Sequence, residues 1–221
     1  ICLGEAAYCE TPGSIFDLTL NKAQLELANK IMETGKPVIL IMLEGRPRVI
    51  TDISQKAKGI LVGFLPGMEG GNAIADVLFG DANPSGKLPV TYPKTPNGIT
   101  LYDYKPIEKF DGNDYNPLWP FGYGLSFTTF EYSNLKINSQ EITENEELTV
   151  KIDVKNTGKM AGKEVVQLYL TDMYGSVTRP NKQLKGFEKV LLNPGEVKTV
   201  EFKLNKQHLS FIGLENKRIV E

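Results

Sequence analysis

Two carboxylates stand five residues apart near the start of the chain, Glu5 and Glu10 in Gly4-Glu-Ala-Ala-Tyr-Cys-Glu-Thr-Pro-Gly13. A pair of carboxyl groups is suited to cleaving an acetal such as a glycosidic bond. One, kept protonated, gives its proton to the leaving oxygen, while the other, ionised, acts across the sugar as nucleophile or base. The apolar run Ile1-Cys-Leu3 leads into Gly4, and Thr11-Pro-Gly-Ser14 follows. That is how a strand ends at the pole of a sheet where chemistry is done. It is also how an ordinary loop looks, and on spacing alone a solvated or capping role is the more ordinary reading of both glutamates.

Other reactive residues lead to less. Ser14, Ser85 and Ser126 would need a base, and the sole histidine, His208, falls in a part of the chain with a different pattern, so a serine hydrolase is excluded. Glu69, in Gly67-Met-Glu-Gly-Gly71, precedes a helical pattern, where free N–H groups favour a negative charge and give it a structural role. The same glycines suggest a phosphate loop, yet neither Gly-Lys-Ser/Thr nor the GxGxxG order accompanies them. Asp76 and Asp81 flank that helix and need only solvation or capping. Cys2 and Cys9 provide neither a disulfide framework nor a four-ligand zinc site, and read as buried or idle thiols. No metal and no cofactor is expected. Trp119, Phe121 and Tyr123, with Tyr102, Tyr104 and Tyr115, could stack on sugar rings. For residues 119–123 packing of a connector is the preferred reading, and for the tyrosines at 102–115 the question stays open.

The elements that would position Glu5 and Glu10 change character along the chain. Asn21-Lys-Ala-Gln24 can cap a helix, with Gln24 closing the box. Leu25, Ala28, Ile31 and Met32 recur at helical spacing, and Gly35-Lys-Pro37 stops the run, which predicts a helix over 22–34. Val38 to Leu43 is apolar without alternation, the pattern of a strand covered on both faces, and Gly59 to Leu65 reads as a second such strand. A short helix follows over 72–79. In an open parallel sheet the loops beyond the carboxyl ends of the strands share one pole, which here means 4–17, 44–47 and 66–72. Between about 81 and 126 Pro, Gly, Asn and Tyr accumulate, with too many aromatics for a solvated linker. From about 127 the period becomes two. Residues 148–154 and 197–204 alternate, 165–170 follow a Gly-rich turn, and Asn-Thr-Gly and Asn-Pro-Gly mark turns, as in an immunoglobulin or fibronectin type III β-sandwich.

The predicted fold class is therefore α/β plus all-β. With 221 residues two domains are expected: an α/β sandwich domain of flavodoxin-like kind with a mostly parallel sheet over 1–98, and a fibronectin type III-like sandwich over 127–221. An ordered connector over 99–126 joins them. A formal net charge of −2 leaves no excess of positive charge for phosphates, so nucleic acid is not an expected partner. The longest apolar run, 37–43, is far short of the roughly 20 residues that span a bilayer, and no basic stretch followed by an apolar one opens the chain, so no membrane partner is expected. The start on Ile1, at what reads as a strand end, and the stop within Arg218-Ile-Val-Glu221 lead to the expectation of a fragment, incomplete at both ends.

Taken in order, GEAAYCETPG, GKPVILIMLEGRP, GMEGGNAIADVLFGDANPSGKLPVTYP and LWPFGYGLSFTTFEYSNL closely resemble the C-terminal half of the β-glucosidases of glycoside hydrolase family 3. VKNTGKMAGKEVVQLYL and SVTRPNKQLKGFEKVLLNPGE resemble the fibronectin type III-like domain that ends many members. The resemblance covers essentially the whole chain. It implies hydrolysis of terminal β-D-glucosyl residues with retention, on β-glucosides or oligosaccharides, without a cofactor. In the family an N-terminal (β/α)8 barrel supplies an aspartate nucleophile, and a loop of the following α/β domain supplies the glutamate acid/base. Members typically read Gly-Glu, a few residues, then Tyr-x-Glu. The resemblance thus places the acid/base on Glu10, with Glu5 as the alternative. The barrel and its nucleophile lie outside these residues, so the chain is expected to be inactive alone and to need that barrel, on the same polypeptide, as partner.

Retaining enzymes hold their two carboxyls about 5–5.5 Å apart, so an acid on a loop must be pinned between domains and its proton retained by partial burial. A sheet that lacks its earliest strands has an unpaired edge, which leaves a homodimer open. Relatives are commonly periplasmic or secreted, and richness in Lys, Asn and Ile hints at a bacterial gene. A β-xylosidase or other exo-glycosidase of the same family is the alternative within enzymes. Outside them stand a non-catalytic carbohydrate-binding or scaffold module using Tyr102, Tyr104 and Tyr115, and a flavodoxin-like nucleotide binder, against which the absent phosphate loop counts.

Overall fold

Ile39–Leu43, the unbroken apolar run, forms the central strand of a three-stranded parallel sheet. In the computed structural model, which describes residues 1–8, 13–96, 98, 101–105, 115–143 and 145–220, the chain divides into two compact units. One holds Ile1–Ala82, Leu88–Leu101 and Tyr115–Phe121, the other Asn83–Lys87, Tyr102–Asp114 and Gly122–Glu221.

In the first unit β1 (Cys2–Gly4), α1 (Lys22–Glu33), β2 (Ile39–Leu43), α2 (Thr51–Ser54), β3 (Gly59–Val62) and α3 (Gly70–Phe79) follow one another. β2 pairs in parallel with β1, Gly4 opposite Leu43, and with β3, Met42 opposite Val62. Leu40, Ile41 and Met42 are all buried, so adjacent residues on opposite faces are covered, which is why the run shows no alternation. Leu3, Leu20, Ala28, Ile50, Ile53 and Tyr92 complete much of this core.

α1 begins where its cap predicts. The Asn21 side chain accepts from the Ala23 N–H at 2.8 Å. Gln24 does not close the box. Its amide instead meets the backbone of Gly4, donating to the carbonyl and accepting from the N–H, both at 2.8 Å. β1 lies at the edge of this sheet, and the outward backbone groups of Gly4 would otherwise lack a partner. β3 also departs from its predicted length of 59–65. It ends at Val62, because Phe64 turns into the left-handed region at φ 50°, unusual for a bulky side chain.

Among its described residues the second unit is β apart from one short helical turn. β4 (Phe130–Ile137), β5 (Leu148–Asn156) and β8 (Val197–Leu204) form an antiparallel sheet, and β6 (Gly162–Leu170) pairs with β7 (Gln183–Leu192) in another. Val154 and Val200 of the first meet Val166, Val190 and Leu192 of the second in one core, as in a sandwich. α4 (Lys206–Leu209) and the pair β9 (Phe211–Ile212) and β10 (Arg218–Ile219) follow. His208 completes the capping box of α4 with Asn205.

Candidate active site

Because β1, β2 and β3 run in parallel, the chain leaving each of them emerges at the same pole. The backbone stitches these exits together: Glu5 N–H donates to Leu43 O at 3.0 Å and Glu44 N–H to Phe64 O at 3.1 Å. A Cβ on Gly4 would overlap the Leu43 carbonyl oxygen, so the close approach of β1 to β2 requires glycine there.

Glu5, one of the two glutamates singled out from the sequence, sits at this pole with its side chain only 10% exposed. Its Oε1 lies 3.3 Å from Arg46 Nε and 3.4 Å from an Arg48 guanidinium nitrogen, and its Oε2 accepts from the Gly45 N–H at 3.2 Å. Both oxygens are therefore engaged by the exit from β2. Glu10 falls within residues 9–12, outside the described residues.

Tyr8, two residues before Glu10, rests in a slot bounded by glycines. A Cβ on Gly13 would overlap its ring and one on Gly45 its hydroxyl. The Arg46 guanidinium lies 4.1 Å from the ring centroid, and Arg46 Nε donates to the hydroxyl oxygen at 3.1 Å. Arg48 reaches the other way, donating to Asp17 O at 3.2 Å and Thr19 O at 2.7 Å. Asp17 in turn accepts from the backbone and hydroxyl of Thr19, and these hydrogen bonds hold its carboxyl below the usual range.

Glu44 lies beneath this cluster, fully buried. Its Oε1 accepts from the Tyr92 hydroxyl at 2.6 Å, while Oε2 is among the buried atoms without a hydrogen-bond partner, as is Arg48 Nε. Burial pushes the Glu44 carboxyl up to about 7, the Tyr92 hydrogen bond and Arg48 oppose the rise, and the negative charge of Glu5 adds to it. Burial and the adjacent carboxylate also raise Tyr92, so its hydroxyl stays a donor. The sequence marks Glu44-Gly-Arg-Pro47 as a pole loop but offers no sign of this pair, since Tyr92 is 48 residues away.

The remaining candidates are placed elsewhere. Glu69 stands at the start of α3 but caps no backbone N–H; its carboxylate accepts from the Asn72 side chain at 2.7 Å. Cys2 is exposed rather than buried. Trp119 packs edge-on against Tyr92, ring centroids 5.0 Å apart, in the core of the first unit. The Tyr102 hydroxyl accepts from the Leu184 N–H at 2.7 Å, and the Tyr115 hydroxyl bonds that of Thr91 at 3.3 Å. Among the described residues no three His, Cys, Asp or Glu side chains gather as a metal site requires, and no helix is long and apolar enough to cross a membrane.

Residues 1–127 match the glycosyl hydrolase family 3 C-terminal domain. The chain belongs to glycosyl hydrolase family 3. Residues 164–221 match the fibronectin type III-like domain. The chain is 43% identical to a periplasmic beta-glucosidase of Salmonella typhimurium, with 88% of this chain and 27% of that one covered. It is 42% identical to a beta-xylosidase of Formosa agariphila, over 96% of this chain and 30% of that one. In the crystal structure of a beta-glucosidase from Listeria innocua in complex with glucose, a region 35% identical superposes with a TM-score of 0.92, covering 100% of this chain and 33% of that one. The chain thus spans between a quarter and a third of the length of these relatives.

Proposed function

We propose that this chain is the acid/base-bearing part of a retaining exo-β-glucosidase and that Glu10 is the acid/base. The observation that carries the choice is the engagement of Glu5. With one oxygen facing two arginines and the other receiving the Gly45 N–H, Glu5 works as a tether between the exits of β1 and β2. A group that must hand its proton to a substrate oxygen, and later take one from water, needs a free face. Glu10 is the remaining carboxylate of the Tyr-x-Glu pattern.

In the proposed reaction an aspartate of an upstream barrel on the same polypeptide attacks the anomeric carbon. Glu10 protonates the departing oxygen, and the glycosyl-enzyme is then hydrolysed by water that Glu10 deprotonates. The domain bounds proposed are 1–98, 99–126 and 127–221, with a periplasmic or secreted setting. The experiment is hydrolysis of p-nitrophenyl β-D-glucoside by this chain and by the chain extended upstream. Turnover is expected only in the longer form, reduced on the order of 10²-fold or more by Glu10→Ala and less by Glu5→Ala. Turnover by the 221 residues alone, or a larger loss from Glu5→Ala, would overturn the reading. A β-xylosidase is the second reading, favoured by the 42% identity to the Formosa agariphila enzyme. A higher kcat/KM on p-nitrophenyl β-D-xyloside than on the glucoside would decide for it.

A further inference from the structure

Two buried polar atoms at the pole, Glu44 Oε2 and Arg48 Nε, have no hydrogen-bond partner among the described residues, and they belong to side chains of opposite charge. The rest of each side chain is engaged. Glu44 Oε1 accepts from the Tyr92 hydroxyl at 2.6 Å. Arg48, its side chain 13% exposed, donates through one terminal nitrogen to Asp17 O at 3.2 Å and through the other to Thr19 O at 2.7 Å, and the first of these also lies 3.4 Å from Glu5 Oε1. Three groups thus act on the buried carboxyl: the Tyr92 hydroxyl, the Glu5 carboxylate from the exit of β1 and Arg48 from the exit of β2. Burial and Glu5 favour its protonated form, while Tyr92 and Arg48 favour the ionised one.

We propose that Arg48 is the moving part of a proton-operated latch at this pole. While Glu44 holds its proton, Arg48 ties Asp17 and Thr19 to the exit of β2; once Glu44 is ionised, the guanidinium turns to it and releases them. A charged carboxylate buried with an unpartnered oxygen is costly, and Arg48 Nε–H is the unused donor of the same cluster. Attraction between two full charges in a buried site exceeds what neutral carbonyls offer the same cation. The guanidinium is planar and rigid, so Nε cannot approach Glu44 unless both terminal nitrogens shift as well. Glu5 is not stranded by the move, because it keeps Arg46 at 3.3 Å and the Gly45 N–H at 3.2 Å. Leu18 also stays attached, its carbonyl accepting from the Val49 N–H at 2.9 Å, so residues 17–19 loosen about that point without detaching. The rim of the pole is therefore firm in mildly acidic solution and looser above neutrality, whatever the role of Glu10.

Nuclear magnetic resonance of this chain, titrated from about pH 5 to about pH 9, follows each part separately. The sequence holds four arginines, Arg46, Arg48, Arg179 and Arg218, few enough for their Nε–H signals to be resolved, and Arg48→Lys identifies the signal of interest by its loss. The Glu44 carboxyl carbon is expected to titrate near pH 7. With the same midpoint the Arg48 Nε–H is expected to move downfield as it gains the carboxylate. The Leu20 N–H, which shares a peptide group with Thr19 O, is expected to move upfield as that oxygen loses its donor. In Glu44→Gln, which cannot ionise, both signals are expected to stay at their low-pH positions.

An Arg48 signal that ignores the Glu44 titration would overturn the latch, and so would a Glu44 carboxyl that does not titrate in this range. If Arg48 responds while Leu20 stays still, the guanidinium meets Glu44 without releasing Thr19, and the latch fails as well. The wild-type titration is complete in itself, so the test stays open if Glu44→Gln does not fold. Inflections that persist in a folded Glu44→Gln would belong to another group and sink the proposal.

Discussion

Two glutamates meet at the pole of the parallel sheet and are treated in opposite ways. Glu5 is held by arginines at the rim, whereas Glu44 is buried beneath with one oxygen on Tyr92 and the other unpartnered. A buried carboxyl with one oxygen unpartnered is cheaper to keep protonated than charged, and Glu44 accordingly rises from its ordinary 4.5 to about 7. Between those two values the unfolded chain has already released the proton that the folded chain retains. Stability from this group is thus complete below about pH 4.5 and is lost as pH rises through about 7. Glu44→Gln keeps an amide oxygen for the Tyr92 hydroxyl and has nothing to ionise. Relative to that variant, the wild type should lose stability between pH 4.5 and 7, by an amount on the order of 3 kcal/mol. Urea unfolding of both proteins across this window measures it. A constant difference between them would mean that Glu44 is charged throughout, with Arg48 compensating it.

Elements with one dominant period are legible in advance. α1 follows the apolar spacing of Leu25, Ala28 and Ile31, β2 the unbroken run to Leu43, and β5 and β8 their strict alternation. β4 and β7 escape because their periods are interrupted. β4 carries a register shift between Ser133 and Lys136 with Asn134 at φ 55°, and β7 carries a second one, where adjacent Leu168 and Tyr169 of β6 face Gly186 and Leu184 and leave Lys185 between them unmatched. The pole of the site follows from the parallel sheet, but its contacts join residues some 40 positions apart, Glu5 to Gly45 and Arg46, which no local pattern encodes. Asn156 shows the same division within one residue. The Asn-Thr-Gly turn is readable, yet its buried side chain uses its full bonding capacity. It accepts from Thr128 Oγ1 at 2.7 Å and Gly158 N–H at 3.0 Å, and donates to Met160 O at 2.8 Å and Leu192 O at 2.9 Å. Asn156→Ala strands those partners away from water and should cost about 2–4 kcal/mol, checked by chemical denaturation. A loss below about 0.5 kcal/mol would mean that the turn holds without this network.

Each compact unit carries a buried core of its own, around Leu40, Met42 and Ile53 in the first and around Val154, Leu192 and Val200 in the second. The two differ in kind as well as place. The first is assembled by parallel pairing through helical crossovers, and the second by antiparallel pairing across two faced sheets. Small cavities can therefore be cut in one core at a time. Ile53→Val removes one methyl group from a fully buried side chain and should cost about 0.5–1.5 kcal/mol. Val154→Ala removes two, at about 0.8 kcal/mol each before any cavity cost. For units of this size a loss of 1 kcal/mol lowers a melting transition by about 4–8 °C. Scanning calorimetry of the two variants is thus expected to displace a different transition in each case, with the untouched one within about 1 °C of the wild type. If both substitutions moved a single shared transition, the two cores would unfold as one cooperative block, and the stability lost at the Glu44 pole and at the Asn156 turn would have to be counted together.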